Sequence, residues 1–267
     1  FAIYDSKNKR LVLARDRLGV KPLYYYFDEK NNKFIFSSEI KSIILNPYVK
    51  RELNYSALSQ LIYYAYTINR ETLIKNINEL LPGHLMIYDF NQIKIIKYWD
   101  LKNKINNNSL EFNADKLRFM LNESVRKRLV ADVPLGASLS GGIDSASIVH
   151  FMSQLNTNPV KTFTVGFNDN SDELNEAREI SEFYKTDHHE IIVNFKDITK
   201  NIPRILWNAE IPFAKPAMYA TYFLAKGIRA NNVTIDLSGE GSYEIFGWYN
   251  RYSRNSDSEN LPVNAGA

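Results

Sequence analysis

The chain has 267 residues, a formal net charge of +3, 45% hydrophobic and 24% charged residues, and no cysteine. This suits a packed globular core in one large or two modest domains, and it excludes disulfides, thiolate metal sites and a cysteine nucleophile within these residues. The small charge makes no case for a nucleic-acid partner, because the one tight basic cluster, Arg126, Lys127 and Arg128, reads as a solvated helix face. No run of eighteen apolar residues occurs, so no membrane partner is expected. Phe1 opens without a charged leader, which makes the cytoplasm the expected compartment.

Residues 1–46 read as short strands with hairpin punctuation: "FAIYD", "RLVLARD", "PLYYYF" and "KFIFSS", split by polar turns, then a short helix in "SEIKSIILN". "NYSALSQLIYYAYT" is expected to be a longer helix, with Asn54 or Ser56 as its cap. Residues 78–100 return to a β pattern around a tight turn at Pro82-Gly83. Arg15-Asp16-Arg17 and Tyr24-Tyr25-Tyr26 fit a sheet face with a structural ion pair better than a stacking surface for nucleotides. The asparagine-rich stretch 101–111 is the best linker in the chain, which divides it into residues 1–100 and 112–267.

Beyond that linker, helix and strand alternate. Leu117, Leu121, Val125 and Leu129 recur every four residues and mark one face of a helix over 113–130. "VPLGASLS" follows as a strand, "DSASIVHFMSQL" as a helix, "VKTFTVGF" as a strand, "LNEAREISEFYKT" as a helix and "HHEIIVN" as a strand. Residues 198–230 read as one long helical stretch, and "VTIDLSGEGS" as a last buried strand entering a glycine turn. The tail from 254 lacks apolar periodicity and reads as loop or disorder. Such alternation predicts a doubly wound parallel sheet, whose ligands bind at the carboxyl ends of the strands. Both glycine-bearing stretches fall at such ends.

In Ser140-Gly141-Gly142-Ile143-Asp144-Ser145 two glycines end a strand and a helix follows. Free N–H groups in the first helical turn, at the positive end of the dipole, favour a phosphate or pyrophosphate. Asp144 would repel a bare phosphate, so its carboxylate points to a divalent cation between them. No lysine follows the glycines, so this is not a Walker loop; the bland alternative is a capped strand-to-helix turn. His188-His189 lacks a partner at helical spacing and is expected to be structural.

SGGIDS resembles the pyrophosphate loop of the N-type ATP pyrophosphatases, and the chain more widely resembles the glutamine-dependent asparagine synthetase family. "FAIYDSKNKRLVLARDRLGVKPLYYY", "FSSEIKSII", "LPGHLMIYD" and "YWD" are similar to the second half of that family's glutaminase domain. "RLVADVPLGASLSGGIDSASI", "TFTVGF", "EAREISEFYKTDHHEI" and "LSGEGSYEIFGWY" match its synthetase motifs in order. The resemblance implies an α/β protein: a partial N-terminal-nucleophile-type glutaminase α+β sandwich, then a doubly wound parallel-sheet ATP pyrophosphatase domain. By the same resemblance Ser140, Gly141, Gly142, Asp144 and Ser145 hold the phosphates of ATP, with Asp144 on Mg2+. Leu139 and Val165 line the adenosine pocket, Ser238 and Gly239 complete it, and Glu240 is the catalytic glutamate of acyl-adenylate formation. Implied partners are a carboxylate substrate such as aspartate and ammonia, drawn from glutamine in the full-length protein; a homodimer fits the resemblance too.

The chain departs from the family pattern in several places. The family's glutaminase cysteine and glutamine-binding motifs lie upstream of the part matched by Phe1, so this fragment is not expected to hydrolyse glutamine by that mechanism. Where the family has a second magnesium-binding aspartate, this chain has Tyr243, a poor metal ligand. Trp248 replaces a glycine, Lys215 an aspartate and Ala217 a serine, and the family's C-terminal helices with their catalytic lysine region lack a counterpart after Tyr252. A drifted acyl substrate and a copy without turnover are both readings of these changes.

Overall fold

A computed structural model gives the fold over residues 1–90, 92–102, 107–167, 172–212 and 216–247. It divides into two compact units, Phe1–Asn106 with Pro203–Ala214, and Asn107–Ile202 with Lys215–Ala267.

In the first unit, β1 (Ala2–Asp5), β2 (Arg10–Ala14), β6 (His84–Tyr88) and β7 (Ile93–Lys97) form an antiparallel sheet in that order. A second antiparallel sheet runs β4 (Lys33–Ser37), β3 (Tyr24–Asp28), β5 (Ile77–Glu79). Side chains alternate along a strand, and the tyrosine run of β3 uses that alternation. Tyr25 packs with Leu13, Leu80 and Met86 between the two sheets. Tyr26 points the other way, into a cluster with Ile43, Val49 and Ile77. Ile43 comes from α1 (Ile40–Ile44), so sheet, sheet and helix stack as layers.

Arg15, 8% exposed, ties the loop before β3 to these sheets. Its guanidinium donates to the Glu79 carboxylate (2.6 Å) and to the carbonyls of Leu80, Lys21 and Gly19. A buried charge is tolerated when it is paired and hydrogen-bonded in this way; Arg15 is the structural ion pair expected of this stretch. The N-terminus of α1 is closed by a carboxylate from far along the chain, since Glu210 accepts from the N–H groups of Ile40 (2.8 Å) and Lys41 (2.7 Å). α2 (Tyr55–Tyr64) is capped by Asn54, not Ser56: the Asn54 amide oxygen accepts from Ala57 N–H.

In the second unit, β10 (Asp187–Ile192), β9 (Lys161–Gly166), β8 (Leu135–Ser138) and β11 (Ile235–Leu237) form a parallel sheet in that order. One face buries Ala137, Leu139 and Leu237 against Val125 of α3 (Leu110–Arg128), Val149 and Met152 of α4 (Ile143–Leu155), and Ala177 of α5 (Asp172–Tyr184). The other buries Phe163 and Val233 against Leu224 and Ile228 of α7 (Pro216–Ala230). Helices cover both faces of a parallel sheet, the doubly wound arrangement. No helix among the described residues is long and apolar enough to cross a membrane.

Two helix boundaries differ from the sequence pattern. α3 starts at Leu110, three residues early, because Ser109 is its N-cap and accepts from Phe112 N–H at 3.2 Å. The stretch 198–230 is two helices, α6 (Phe195–Ala209) and α7. α6 tolerates Pro203 inside it but ends at Glu210, whose φ of 58° is left-handed. Pro212 then biases Ile211 away from helical angles. A short helix, α8 (Ser242–Phe246), follows the second glycine turn. Lys215, Trp248, Tyr249 and the tail from 254 lie outside the described residues.

Candidate functional site

Numbered within the second unit, the strand order is 3-2-1-4, so the winding direction reverses between β8 and β11. The crevice beyond the carboxyl ends of two such strands is where ligands of open α/β sheets bind. SGGIDS leaves β8 at that point, and SGEGS leaves β11.

The first turn is held by its own serines. Gly142 is the N-cap of α4, with extended φ and ψ. Ser145 is buried, and its hydroxyl meets Ser140 Oγ at 2.9 Å, Ser140 N–H at 3.0 Å, and the carbonyls of Ser140 and Gly142 at 3.1 Å each. Ser145 therefore staples the loop from inside. The same residue lies on the cavity lining. Leu139 N–H donates to Phe163 C=O at 2.8 Å, and Leu139 C=O accepts from Thr164 Oγ1.

The second turn reaches the first through one glycine. A Cβ on Gly239 would lie 2.8 Å from both the carbonyl carbon and the Cβ of Asp144, and 2.9 Å from Ser145 N. Only a residue without a side chain lets these backbones come so close. Gly241 then turns the chain at φ 95° into α8, and Ser242 Oγ donates to Gly239 C=O at 2.6 Å.

Together the turns border a cavity of about 330 Å³. Leu139, Ser140, Asp144, Ser145, Val165, Ser238, Gly239 and Glu240 all line it, as does Tyr243. Gly141 and Gly142 do not. A Cβ at Gly141 would collide with the Glu176 side chain, so that glycine accommodates α5. Sequence reading missed the floor, Ser138, Phe163 and Thr164, and the wall supplied by Ala220, Thr221 and Leu224 of α7. Those residues are marked only by their register on strand and helix. Glu173 was missed as well.

Electrostatically the lining is one-sided. Its charged residues are Asp144, Glu173, Glu240 and Glu244, with no Lys or Arg among the described residues. An anion entering here needs a cation with it. Among the described residues no three His, Asp or Glu side chains converge as a metal cage. The Asp144 carboxylate at the start of α4 is compatible with magnesium, which is commonly held by one or two carboxylates plus substrate phosphates.

His188 and His189 are engaged in the sheet. His188 Nδ1 meets Thr162 Oγ1 at 2.9 Å, and His189 stacks on Phe163 with centroids 5.2 Å apart. Burial holds the His188 pKa below its ordinary value, against the pull of Glu190. Arg178 clamps Glu190 with Nε and Nη2, at 2.5 and 2.8 Å, fastening α5 to β10.

Comparison with known proteins agrees with this geometry. The family model for asparagine synthase matches residues 116–264, and that for a glutamine amidotransferase domain matches residues 1–99. A provisionally named glutamine-hydrolyzing asparagine synthetase 2 of Methanocaldococcus jannaschii is 32% identical, covering 93% of this chain and 49% of that protein. Glutamine-hydrolyzing asparagine synthetase 3 of Bacillus subtilis is 28% identical over 93% of this chain and 43% of its own length. Amidase chyE of Penicillium rubens is 31% identical over 94% and 40%. The chain thus spans about half the length, or less, of the curated relatives it matches. With its synthase match covering more than half of its residues, the chain belongs to the asparagine synthase family.

Proposed function

We propose that this chain carries the ATP-using half of an amide-forming synthetase. In the reaction, a substrate carboxylate oxygen attacks the α-phosphorus of ATP, and the bond to the β-phosphate oxygen breaks to release pyrophosphate. Ammonia then attacks the acyl carbon, loses a proton, and expels AMP. The carrying observation is the contact of Gly239 with Asp144, which sets both glycine turns on one cavity at the switch point.

The residues divide the work as follows. Backbone N–H groups at the start of α4 bind the phosphates, within a loop shaped by Ser145 and Ser140. Asp144 is the residue that would hold a magnesium ion, which would supply positive charge where pyrophosphate departs. Leu139, Val165, Ser238 and Gly239 flank the nucleoside, and Glu240 faces the acyl-transfer end. Aspartate is the acyl substrate to test first. A different carboxylate is the second reading, favoured by Tyr243 on the cavity lining and by a relative named as an amidase.

Calorimetry with ATP and MgCl2 tests the nucleotide reading: the chain is expected to bind, and Asp144→Ala to abolish binding. Exchange of labelled pyrophosphate into ATP by the full-length gene product tests the chemistry. Exchange with another carboxylate but not with aspartate would sink the asparagine assignment; absence of nucleotide binding would remove the enzyme reading.

A further inference from the structure

The first glycine of the SGGIDS turn lies beneath a carboxylate side chain. A Cβ on Gly141 would fall 2.5 Å from Glu176 Cβ and 2.8 Å from its Cδ, and closer still to Oε2, so Glu176 lies across that residue. The rotation of α5 about its own axis is fixed from the core side. Leu174 and Ala177 are fully buried, Leu174 packed on Gly166 and Ala177 in the core shared with α4. Residues three apart share a helix face, so Glu173 and Glu176 stand together beside that buried pair. Glu173 lines the cavity, and Glu176 reaches the loop.

The Glu176 charge has no structural partner. Arg178, the one cation of α5, is engaged by Glu190, and no ion pair or hydrogen bond engages the exposed Glu176 carboxylate among the described residues. Glu176 also sits in the second turn of α5, past the first turn where a helix dipole favours an acid. Its stem packs on Gly141, but an amide of the same length would pack there equally well. What the carboxylate adds is a negative charge beside a loop that receives anions. On the nucleotide reading above, the phosphates rest on N–H groups of the turn that Gly141 opens, next to the N-cap Gly142. A magnesium ion cancels part of the nucleotide's charge, so repulsion by Glu176 falls more heavily on the metal-free form.

We propose that Glu176 is a specificity residue that turns away metal-free polyphosphate, and so makes the loop select the magnesium complex of ATP. It acts through charge alone, across Gly141. The inference rests on the nucleotide reading and adds how the loop discriminates between two forms of one nucleotide.

The test is calorimetry on the whole chain with ATP in EDTA and with ATP in MgCl2. Glu176→Gln keeps the stem over Gly141 and removes the charge. It is expected to tighten metal-free ATP about three- to fivefold, the scale of one exposed charge interaction, and MgATP by less. Glu176→Lys reverses the charge and should extend the gain for metal-free ATP to about tenfold or more. Both gains should shrink toward nothing in about 1 M NaCl, where screening is strong. Metal-free ATP bound no more tightly by either variant, or a gain undiminished by salt, overturns the assignment while nucleotide binding stands. A Glu176→Gln variant that weakens MgATP alone makes the residue a magnesium ligand and overturns it too. Wild type that binds neither form removes the nucleotide reading together with this one.

Discussion

Replacing Gly239 by alanine tests whether the two turns form one site. The added Cβ would sit 2.8 Å from two carbon atoms of Asp144 and 2.9 Å from Ser145 N. Carbon atoms rest at about 3.5 Å or more, so the turns must part by about 0.7 Å. Neither side yields easily, because the contacts include the main chain at the start of α4, where Ser145 already staples the loop. Overpacking of this kind costs about 1–3 kcal/mol, which urea denaturation reads as a lowered midpoint with an unchanged slope. Binding should suffer more than stability does, since a displacement near 1 Å can cost about a hundredfold in a positioned site. Gly241→Ala is the control. Nothing lies within 4 Å of its added Cβ, and only its φ of 95° is strained. If Gly239→Ala keeps both the urea midpoint and the affinity for MgATP, the two turns do not act as one site.

Glu210→Ala should destabilise the first unit by about 2–3 kcal/mol, since it removes two charge-assisted hydrogen bonds to α1 and leaves Lys41 with Glu39 alone. Thermal melts of Glu210→Gln, which restores an acceptor, should recover part of that loss. The acid limb of the stability curve reports on Glu190, whose pKa Arg178 holds below the ordinary carboxylate value. With the folded pKa below the unfolded one, the clamp's contribution is present above about pH 4.5 and is lost as pH falls through the folded value. Arg178→Gln should therefore flatten the decline below pH 4.5 in denaturant titrations at stepped pH, while an unchanged slope would assign the decline to other groups.

The sequence pattern carried the layers well, and the reasons are local. A β-strand alternates by two, so Tyr25 and Tyr26 could only go to opposite faces, and both found a core. Strands joined by amphipathic helices leave few choices besides a parallel sheet covered twice. What periodicity could not show was where it stops. The apolar spacing in 198–230 continues across the break, and the left-handed turn at Glu210 has no glycine to announce it. In the site, the motif residues were legible because glycine and serine at strand ends are rare and chemically specific. Ser138 and Asp236 were not, since neither belongs to a motif; Asp236 pairs with Gly136 across β8 and β11 and reaches the Ser138 hydroxyl two residues on. The hydrogen bonds by which Ser145 shapes its own loop were likewise not legible from residue type.

The first unit is discontinuous in sequence, taking up Pro203–Ala214 long after its other residues have ended at Asn106. A helix that starts in one unit therefore finishes in the other, and the carboxylate closing α1 is translated more than 160 positions after the backbone it caps. Two consequences follow for the history and handling of such a chain. Recombination at the asparagine-rich stretch would transplant Glu210 away from Ile40 and Lys41, so the halves cannot be shuffled as independent cassettes. During synthesis, α1 must also wait for its cap until most of the second unit has left the ribosome.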